Sequence, residues 1–166
     1  SSCNDRGGSP WCTIDGIGCR QSFAETPLVA DSGAIKSVIN KAMLEANCKP
    51  TDIDLIVPLG SGIPQVDSAE LEGLTSVFGD SIDSIPIITT IPYTGNCMAG
   101  NGAICLGVAA KAIQEQTVPA RLGSKNTNGI QASRCEAKTA SITKVLVVTP
   151  SEGGQCVAII LGRIDS

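Results

Sequence analysis

Histidine is absent from the 166 residues of this chain. Imidazole is the side chain that most often serves as a general base near neutral pH, and it is a common metal ligand. Its absence excludes Ser/His/Asp and Cys/His catalysis assembled from this chain alone. The sequence also has no Cys-x-x-C pair and none of the zinc patterns that need histidine. We therefore expect no metal site and no cofactor.

Aromatic residues and long apolar runs are also scarce. Aromatic side chains make up 2% of the chain, against 42% hydrophobic residues in total. The longest apolar stretch, Ala103 to Ile113, is interrupted by Lys111 and reaches about half of the ~20 residues that span a bilayer. Few rings are available to stack on bases, and the net charge is −4. We expect no membrane span and no nucleic-acid binding.

The composition suits a single globular domain, which we place at 11–166 after a flexible lead-in at 1–10. Charge is unevenly distributed, because five basic residues against Glu136 give the stretch 121–144 a charge of +4. We interpret 121–143 as a polar loop facing solvent. Electrostatic attraction of an acidic partner to this loop is the alternative.

Eight cysteines are present, although a chain of this length can build a core without disulfides. We interpret most of them as small buried thiols in a reducing, cytoplasmic setting, with a disulfide among Cys3, Cys12 and Cys19 as the alternative. Cys97 lies near the start of a predicted helix, where the helix dipole favours a thiolate. Since neither histidine nor lysine is near it in sequence, we favour a packed structural thiol.

Hydrophobic periodicity predicts alternating strands and helices. The predicted elements are a bulged strand at Thr13–Phe23, a helix from Asp31 or Ser32 to near Cys48, a strand at Ile53–Val57, a helix closed by Gly79, a strand at Ile85–Ile91, a helix from about Met98 to Gln114, and a hairpin of Val145–Val148 and Val157–Leu161. This order predicts a three-layer α/β fold with a mostly parallel mixed sheet, a buried helix of small residues and a terminal antiparallel hairpin.

Two carboxylates, Asp67 and Glu70, lie three residues apart at the start of the second predicted helix. Negative charge is stabilised there by free backbone N–H groups, and aspartate is a common capping residue. We interpret both carboxylates mainly as capping groups.

Three short motifs carry a resemblance to a known family. The first is Leu59–Pro64 followed by Asp67 and Glu70, the second is Ile91–Asn96, and the third is Ser151–Gly154. Together they resemble the carboxy-terminal half of a β-ketoacyl synthase, a condensing enzyme of the thiolase-like superfamily. The corresponding family motifs are His-Gly-Thr-Gly-Thr-Pro followed by Gly-Asp and Glu, then Lys-x-x-x-Gly-His, and finally Gly-Phe-Gly-Gly.

The resemblance implies that the catalytic set of the family is missing. In the family, the two histidines promote decarboxylation of a malonyl thioester and stabilise the enolate oxygen. Here Leu59 and Asn96 occupy the histidine positions, and Ile91 occupies the lysine position. Glu152 replaces the phenylalanine, where an inward carboxylate would oppose developing negative charge. We predict four degenerate positions and no catalytic residue.

The resemblance also implies a role and partners. Ile63, Gly153 and Gly154 would contribute to an acyl pocket or an oxyanion turn. The chain would be a non-catalytic structural or chain-length-determining partner in fatty acid or polyketide synthesis. Its partners would be an amino-terminal ketosynthase half or an active ketosynthase subunit, and acyl carrier protein, with a homodimer also possible. Two alternatives stay open: a piece of an active acyltransferase whose nucleophilic cysteine lies upstream, and a scaffolding domain.

Overall fold

A four-stranded mixed sheet forms the centre of the fold. The computed structural model describes residues 4–22, 31–122, 136–151 and 153–164. The strands and helices in chain order are β1 Thr13–Gln21, α1 Ser32–Glu45, β2 Leu55–Pro58, α2 Pro64–Phe78, α3 Ile91–Thr94, α4 Asn101–Glu115, β3 Thr117–Val118, β4 Lys138–Thr139, β5 Lys144–Pro150 and β6 Gln155–Gly162. Helices α1 and α2 cover one face of the sheet, and α4 packs on the other.

The strands of the central sheet follow the order β1-β6-β5-β2. Strand β6 is antiparallel to both of its neighbours, whereas β2 and β5 are parallel. Strands β1, β2 and β5 therefore run in one direction and β6 alone is reversed, which confirms the mixed sheet, the predominance of one strand direction and the terminal hairpin. Because the reversed strand lies between two others, only one of the three ladders is parallel. The expected bulge is also present, between Ile14 and Gly16.

The strand predicted at Ile85–Ile91 is wrong except at one residue. A 3-10 helix occupies Gly79–Ser84, and α3 begins at Ile91. Between them, Ile87 forms a single parallel bridge with Ile56. Proline explains the difference, because Pro86 cannot donate to a ladder and Pro92 lies at the start of α3, where its fixed φ favours a helix.

Helix α1 lies directly on β1 because two glycines face it. The predicted cap is confirmed, since Asp31 Oδ1 accepts from the N–H of Gly33 at 2.8 Å. A Cβ on Gly18 would lie 1.9 Å from the carbonyl oxygen of Val38, and a Cβ on Gly16 would lie 2.2 Å from that of Ala42. Glycine is thus required in β1 by the close approach of the helix backbone.

Helix α4 is buried on one side only. The side that packs on the sheet carries Cys105, Ala109, Ala112 and Ile113. On the opposite side Gly107 is exposed, and a Cβ there would meet no atom within 4 Å. The expectation of a helix enclosed on most sides is wrong for this chain by itself, because no other element in the described part of the chain covers that outer side.

Gln116 ties the end of α4 to the start of β5. It adopts the left-handed conformation, with φ of 50°, and its Nε2 donates to the carbonyls of Ile113 at 2.7 Å and Ile142 at 2.8 Å. Its Oε1 accepts from the N–H of Ile142 at 3.0 Å. Ile142 is fully buried, so the predicted polar loop at 121–143 ends inside the core. Residues 123–135 of that loop lie outside the described residues.

No helix within the described ranges combines the length and the hydrophobicity that crossing a bilayer requires.

Candidate functional site

The first and third motifs leave the sheet at the same edge. Strands β2 and β5 are parallel neighbours, with Pro58 opposite Val148. The turn that begins at Leu59 and the turn that begins at Ser151 therefore both follow carboxyl ends of parallel strands. In open α/β sheets this edge is the usual location of binding sites.

The second motif joins this edge through two close contacts. A Cβ on Gly60 would lie 2.3 Å from Cγ2 of Thr89, so the turn after β2 touches the segment just before α3. A Cβ on Gly102 would lie 3.7 Å from Oγ1 of Thr149, which places the start of α4 beside the end of β5. The three motifs, which are distant in sequence, thus converge on one site.

A buried carboxylate holds the turn after β2. The N–H of Leu59 donates to Oε1 of Glu70 at 2.9 Å, and the N–H of Gly60 donates to Oε2 at 2.9 Å. Glu70 is only 3% exposed. Burial raises its pKa to about 7, the two N–H donors act in the opposite direction, and the charge of Asp67 adds a smaller increase.

A second carboxylate completes the turn. Asp67 accepts from Oγ of Ser61 at 2.8 Å and from the N–H of Gly62 at 3.0 Å. Gly60 and Gly62 have φ values of 56° and 80°, which glycine adopts without strain. The turn ends at Ile63, the residue before α2, which is 48% exposed.

The prediction that Asp67 and Glu70 cap α2 is therefore wrong. The N-cap residue of α2 is Ile63, and no side chain caps the helix there. Both carboxylates instead bind N–H or O–H donors of the turn that precedes the helix. Sequence spacing at a helix start does not distinguish capping of the helix from binding of the preceding turn, because aspartate and glutamate can do both.

Two asparagines organise the turn of the second motif. Oδ1 of Asn96 accepts from the N–H of Met98 at 2.9 Å and from Nδ2 of Asn101 at 2.7 Å. Oδ1 of Asn101 accepts from the N–H of Cys97 at 2.9 Å. The carboxamide of Asn96 thus fixes backbone geometry at the position that the resemblance assigns to an ionisable histidine of the family. Ile91, which the resemblance assigns to the lysine position, starts α3 and is half-buried.

The sequence analysis missed Asn101, which is 7% exposed on an otherwise apolar helix face. One signal was available in the sequence. Asn101 lies one helical turn before Cys105 and therefore on the same apolar face, where a buried amide needs a hydrogen-bond partner.

The third motif forms a tight glycine turn. Gly153 and Gly154 have φ values of 90° and 83°. The carbonyl of Gly154 accepts from the N–H of Ser22 at 2.8 Å, and a Cβ on Gly154 would lie 2.1 Å from the carbonyl oxygen of Ser22. Both glycines are thus required by the backbone. Glu152 lies outside the described residues.

Cys97 is exposed, so the prediction of a packed thiol is wrong for it. Met98 has a φ of 53°, and this turn carries Cys97 outside the core. Among the described cysteines, Cys105 and Cys156 are buried and free, but Cys12 and Cys48 are half-buried and Cys19 is exposed. The prediction that most cysteines are buried thiols is therefore wrong for the described part of the chain. Burial raises the pKa of the Cys105 and Cys156 thiols, that of Cys156 to about 12.

A largely apolar cavity of about 430 Å³ lies beside the second motif. Its walls come from α3, from the second half of α4 and from the segment after β3. The floor includes Thr90, which is 4% exposed and has its Oγ1 3.5 Å from Sγ of Cys105. The rim carries the ion pair of Lys111 with Glu115 at 2.7 Å. This largely apolar lining suits an apolar chain better than a charged ligand.

The comparisons with known proteins agree with this geometry. Residues 11–125 match the family described as "Beta-ketoacyl synthase, C-terminal domain". The chain belongs to this β-ketoacyl synthase family. The resemblance inferred from the three motifs is thereby confirmed.

Curated relatives come from polyketide pathways. The chain is 29% identical over 128 residues to the tetracenomycin polyketide synthase ketoacyl synthase beta subunit of Streptomyces glaucescens, covering 75% of this chain and 31% of that protein. It is 31% identical over 110 residues to the granaticin polyketide putative beta-ketoacyl synthase 2 of Streptomyces violaceoruber, covering 62% and 26%. The chain thus spans about a third or less of these relatives.

Solved ketosynthase structures share the fold. The ishigamide ketosynthase/chain length factor superposes with a TM-score of 0.88 at 20% identity, covering 98% of this chain and 40% of that one. A type II acyl-carrier protein in complex with its ketosynthase gives a TM-score of 0.87 at 22% identity, covering 98% and 41%. The predicted thiolase-like α/β class is confirmed.

Proposed function

We propose that this chain forms the carboxy-terminal half of a ketosynthase-like subunit without condensing activity. In this role it is a structural or chain-length-determining partner of an active ketosynthase in polyketide biosynthesis. One observation carries the proposal: the turn after β2 keeps a fully hydrogen-bonded geometry while Leu59 occupies the position of the family's histidine.

The chemistry at the other degenerate positions supports a non-catalytic role. The oxygen of Asn96 already accepts two hydrogen bonds within its own turn, and Ile91 brings no charge. A general acid or base typically contributes about 10²–10⁴ to a rate, so loss of two such groups removes most of the expected acceleration. The side chains that remain can still shape an apolar pocket.

The open surfaces of the fold support a protein partner. Ile14 and Ile17 of β1 are 61% and 41% exposed on the face of the sheet where α4 packs. The outer side of α4, which includes Ala103 and Gly107, is also uncovered. Exposed apolar surface on both elements is typical of an interaction site. An amino-terminal ketosynthase half would cover it, and an active ketosynthase subunit and an acyl carrier protein would complete the assembly.

The first experiment tests activity and assembly together. The chain is supplied with malonyl- and acyl-carrier-protein thioesters, alone and with an active ketosynthase. We expect no decarboxylation by the chain alone and co-elution with the ketosynthase in light-scattering chromatography. Robust turnover by the chain alone would refute the proposal. Acylation of a cysteine upstream of this chain, in the full-length gene product supplied with acyl-CoA substrates, would instead favour the piece of an active acyltransferase.

The second experiment tests the chain-length role. Ile63→Ala enlarges the space at the turn end, so we expect a changed distribution of product lengths from the assembled complex. Gln65→Ala is the matched control, because Gln65 is exposed nearby at the start of α2. An unchanged distribution in both variants would assign Ile63 no part in product length.

A further inference from the structure

Among the residues that the structure describes, one buried carboxylate bridges two consecutive backbone donors without a cationic partner. Glu70 accepts the N–H of Leu59 on one oxygen and the N–H of Gly60 on the other, both at 2.9 Å. Within the described residues, the ion pairs are Lys111 with Glu115 and Lys144 with Asp15, and neither includes Glu70. The turn therefore depends on Glu70 keeping both oxygens available as acceptors.

We propose that Glu70 acts as a proton-controlled latch on the turn Leu59–Gly62. An ionised carboxylate accepts with both oxygens, so it holds both N–H groups. A protonated carboxyl turns one oxygen into an O–H donor, which faces an N–H donor and leaves that N–H without an acceptor. Protonation thus releases one end of the turn that carries Leu59. This inference stands independently of the proposed function.

The groups around Glu70 place this change near neutral pH. Burial disfavours the charged form and is the larger effect, whereas the two N–H donors favour the charged form, and the resulting pKa is about 7. Asp67, on the same helix, raises the pKa further through its charge. No such opposition acts on an exposed glutamate.

The other titratable groups near Glu70 do not compete for the proton. Two thiols feel the charge of Glu70, that of Cys105 on α4 and that of Cys156 on β6. Burial raises the pKa of both thiols, so both remain neutral across the range in which Glu70 titrates. Asp67 and Glu70 are then the two groups that set the behaviour of the turn.

The test follows the backbone amide signals of Leu59 and Gly60 by ¹⁵N NMR in the full chain from pH 5 to 9. We expect both signals to titrate together with a midpoint near pH 7. In Glu70→Gln they should not move with pH, and they should lie near the positions seen in the parent at low pH. Glu72→Gln is the matched control, since Glu72 is exposed on the same helix, and it should leave the titration unchanged.

A second variant keeps the proposal falsifiable if Glu70→Gln does not fold. Asp67→Asn removes the negative charge that raises the pKa of Glu70, so the midpoint should move to lower pH. Amide signals of Leu59 and Gly60 that stay constant from pH 5 to 9 would overturn the latch. Titration that persists in Glu70→Gln, or a midpoint unmoved in Asp67→Asn, would also overturn it.

Discussion

The two faces of the central sheet differ in how completely the rest of the chain covers them. Under α1 and α2, Ile35, Ile39 and Ile160 are at most 1% exposed. On the face that carries α4, Ile14 and Ile17 of the same sheet remain largely accessible. Strand β1 shows the contrast within itself, because its glycines face α1 and its isoleucines face the open side. The difference shows that the first face is closed by elements of this chain, whereas the second leaves apolar side chains of β1 uncovered within the described residues.

The largest effect should come from the closed face. In Gly18→Ala the new Cβ would lie 1.9 Å from the carbonyl oxygen of Val38, and backbone atoms cannot move aside cheaply. We expect a loss of about 4 kcal/mol or more in the free energy of unfolding, above the usual overpacking cost. Urea denaturation measures it, and a loss under about 1 kcal/mol would contradict the close approach of α1.

A matched pair of isoleucines compares the two faces directly. Ile39 is completely buried, so Ile39→Ala should cost about 3 kcal/mol through lost burial and a residual cavity. Ile17→Ala should cost less than about 1 kcal/mol in the chain alone, since Ile17 is 41% exposed. Equal losses in urea denaturation would refute the contrast between the faces.

Glu70, buried on α2, should give stability a pH dependence. Its folded pKa of about 7 exceeds the reference value of 4.5, so the folded state keeps a proton that the unfolded state releases. Its contribution is therefore fully present below pH 4.5 and is lost as pH rises to about 7. We expect a decrease of about 3 kcal/mol across this window.

Glu70→Gln should flatten this pH dependence, and thermal unfolding at several pH values measures the difference. Glu72→Gln should retain the slope of the parent. A slope that is the same in the parent and in Glu70→Gln would show that other groups cause it.

The smallest effect on stability is expected on the outer side of α4. A Cβ on Gly107 meets nothing within 4 Å, so Gly107→Ala should stabilise the chain by about 0.5–1 kcal/mol through helix propensity. The larger Gly107→Leu should leave the isolated chain stable but weaken its association with a ketosynthase partner. Unchanged association in a pull-down titration would show that this side of α4 is not the interface.

Much of the fold could be predicted because its signals are local. The apolar stripe and the Asp31 cap define α1, and the glycine turn at Gly153 defines the hairpin of β5 and β6. The segment Ile85–Ile91 is rich in isoleucine and threonine, as strands are, but Pro86 within it and Pro92 directly after it prevent a longer ladder. These prolines are local signals that outweigh the apolar residues.

The candidate site was predictable in its residues but not in its interactions. The three motifs identified Leu59, Ile91, Asn96 and the glycine turn from sequence. The bonds from Glu70 to the turn, and its burial, depend on how α2 folds back toward β2, which spacing alone does not specify. The same holds for the pair of Asn96 and Asn101.

The hydrogen bonds between Gln116 and Ile142 have a consequence for engineering. The side-chain amide of Gln116 binds both the N–H and the carbonyl of Ile142, and it does so from the end of a helix that is already packed on the sheet. The position at which the chain enters β5 is thus specified independently of how many residues precede it. The stretch between β3 and β4 is a natural place to graft a foreign peptide, with the register of β5 preserved.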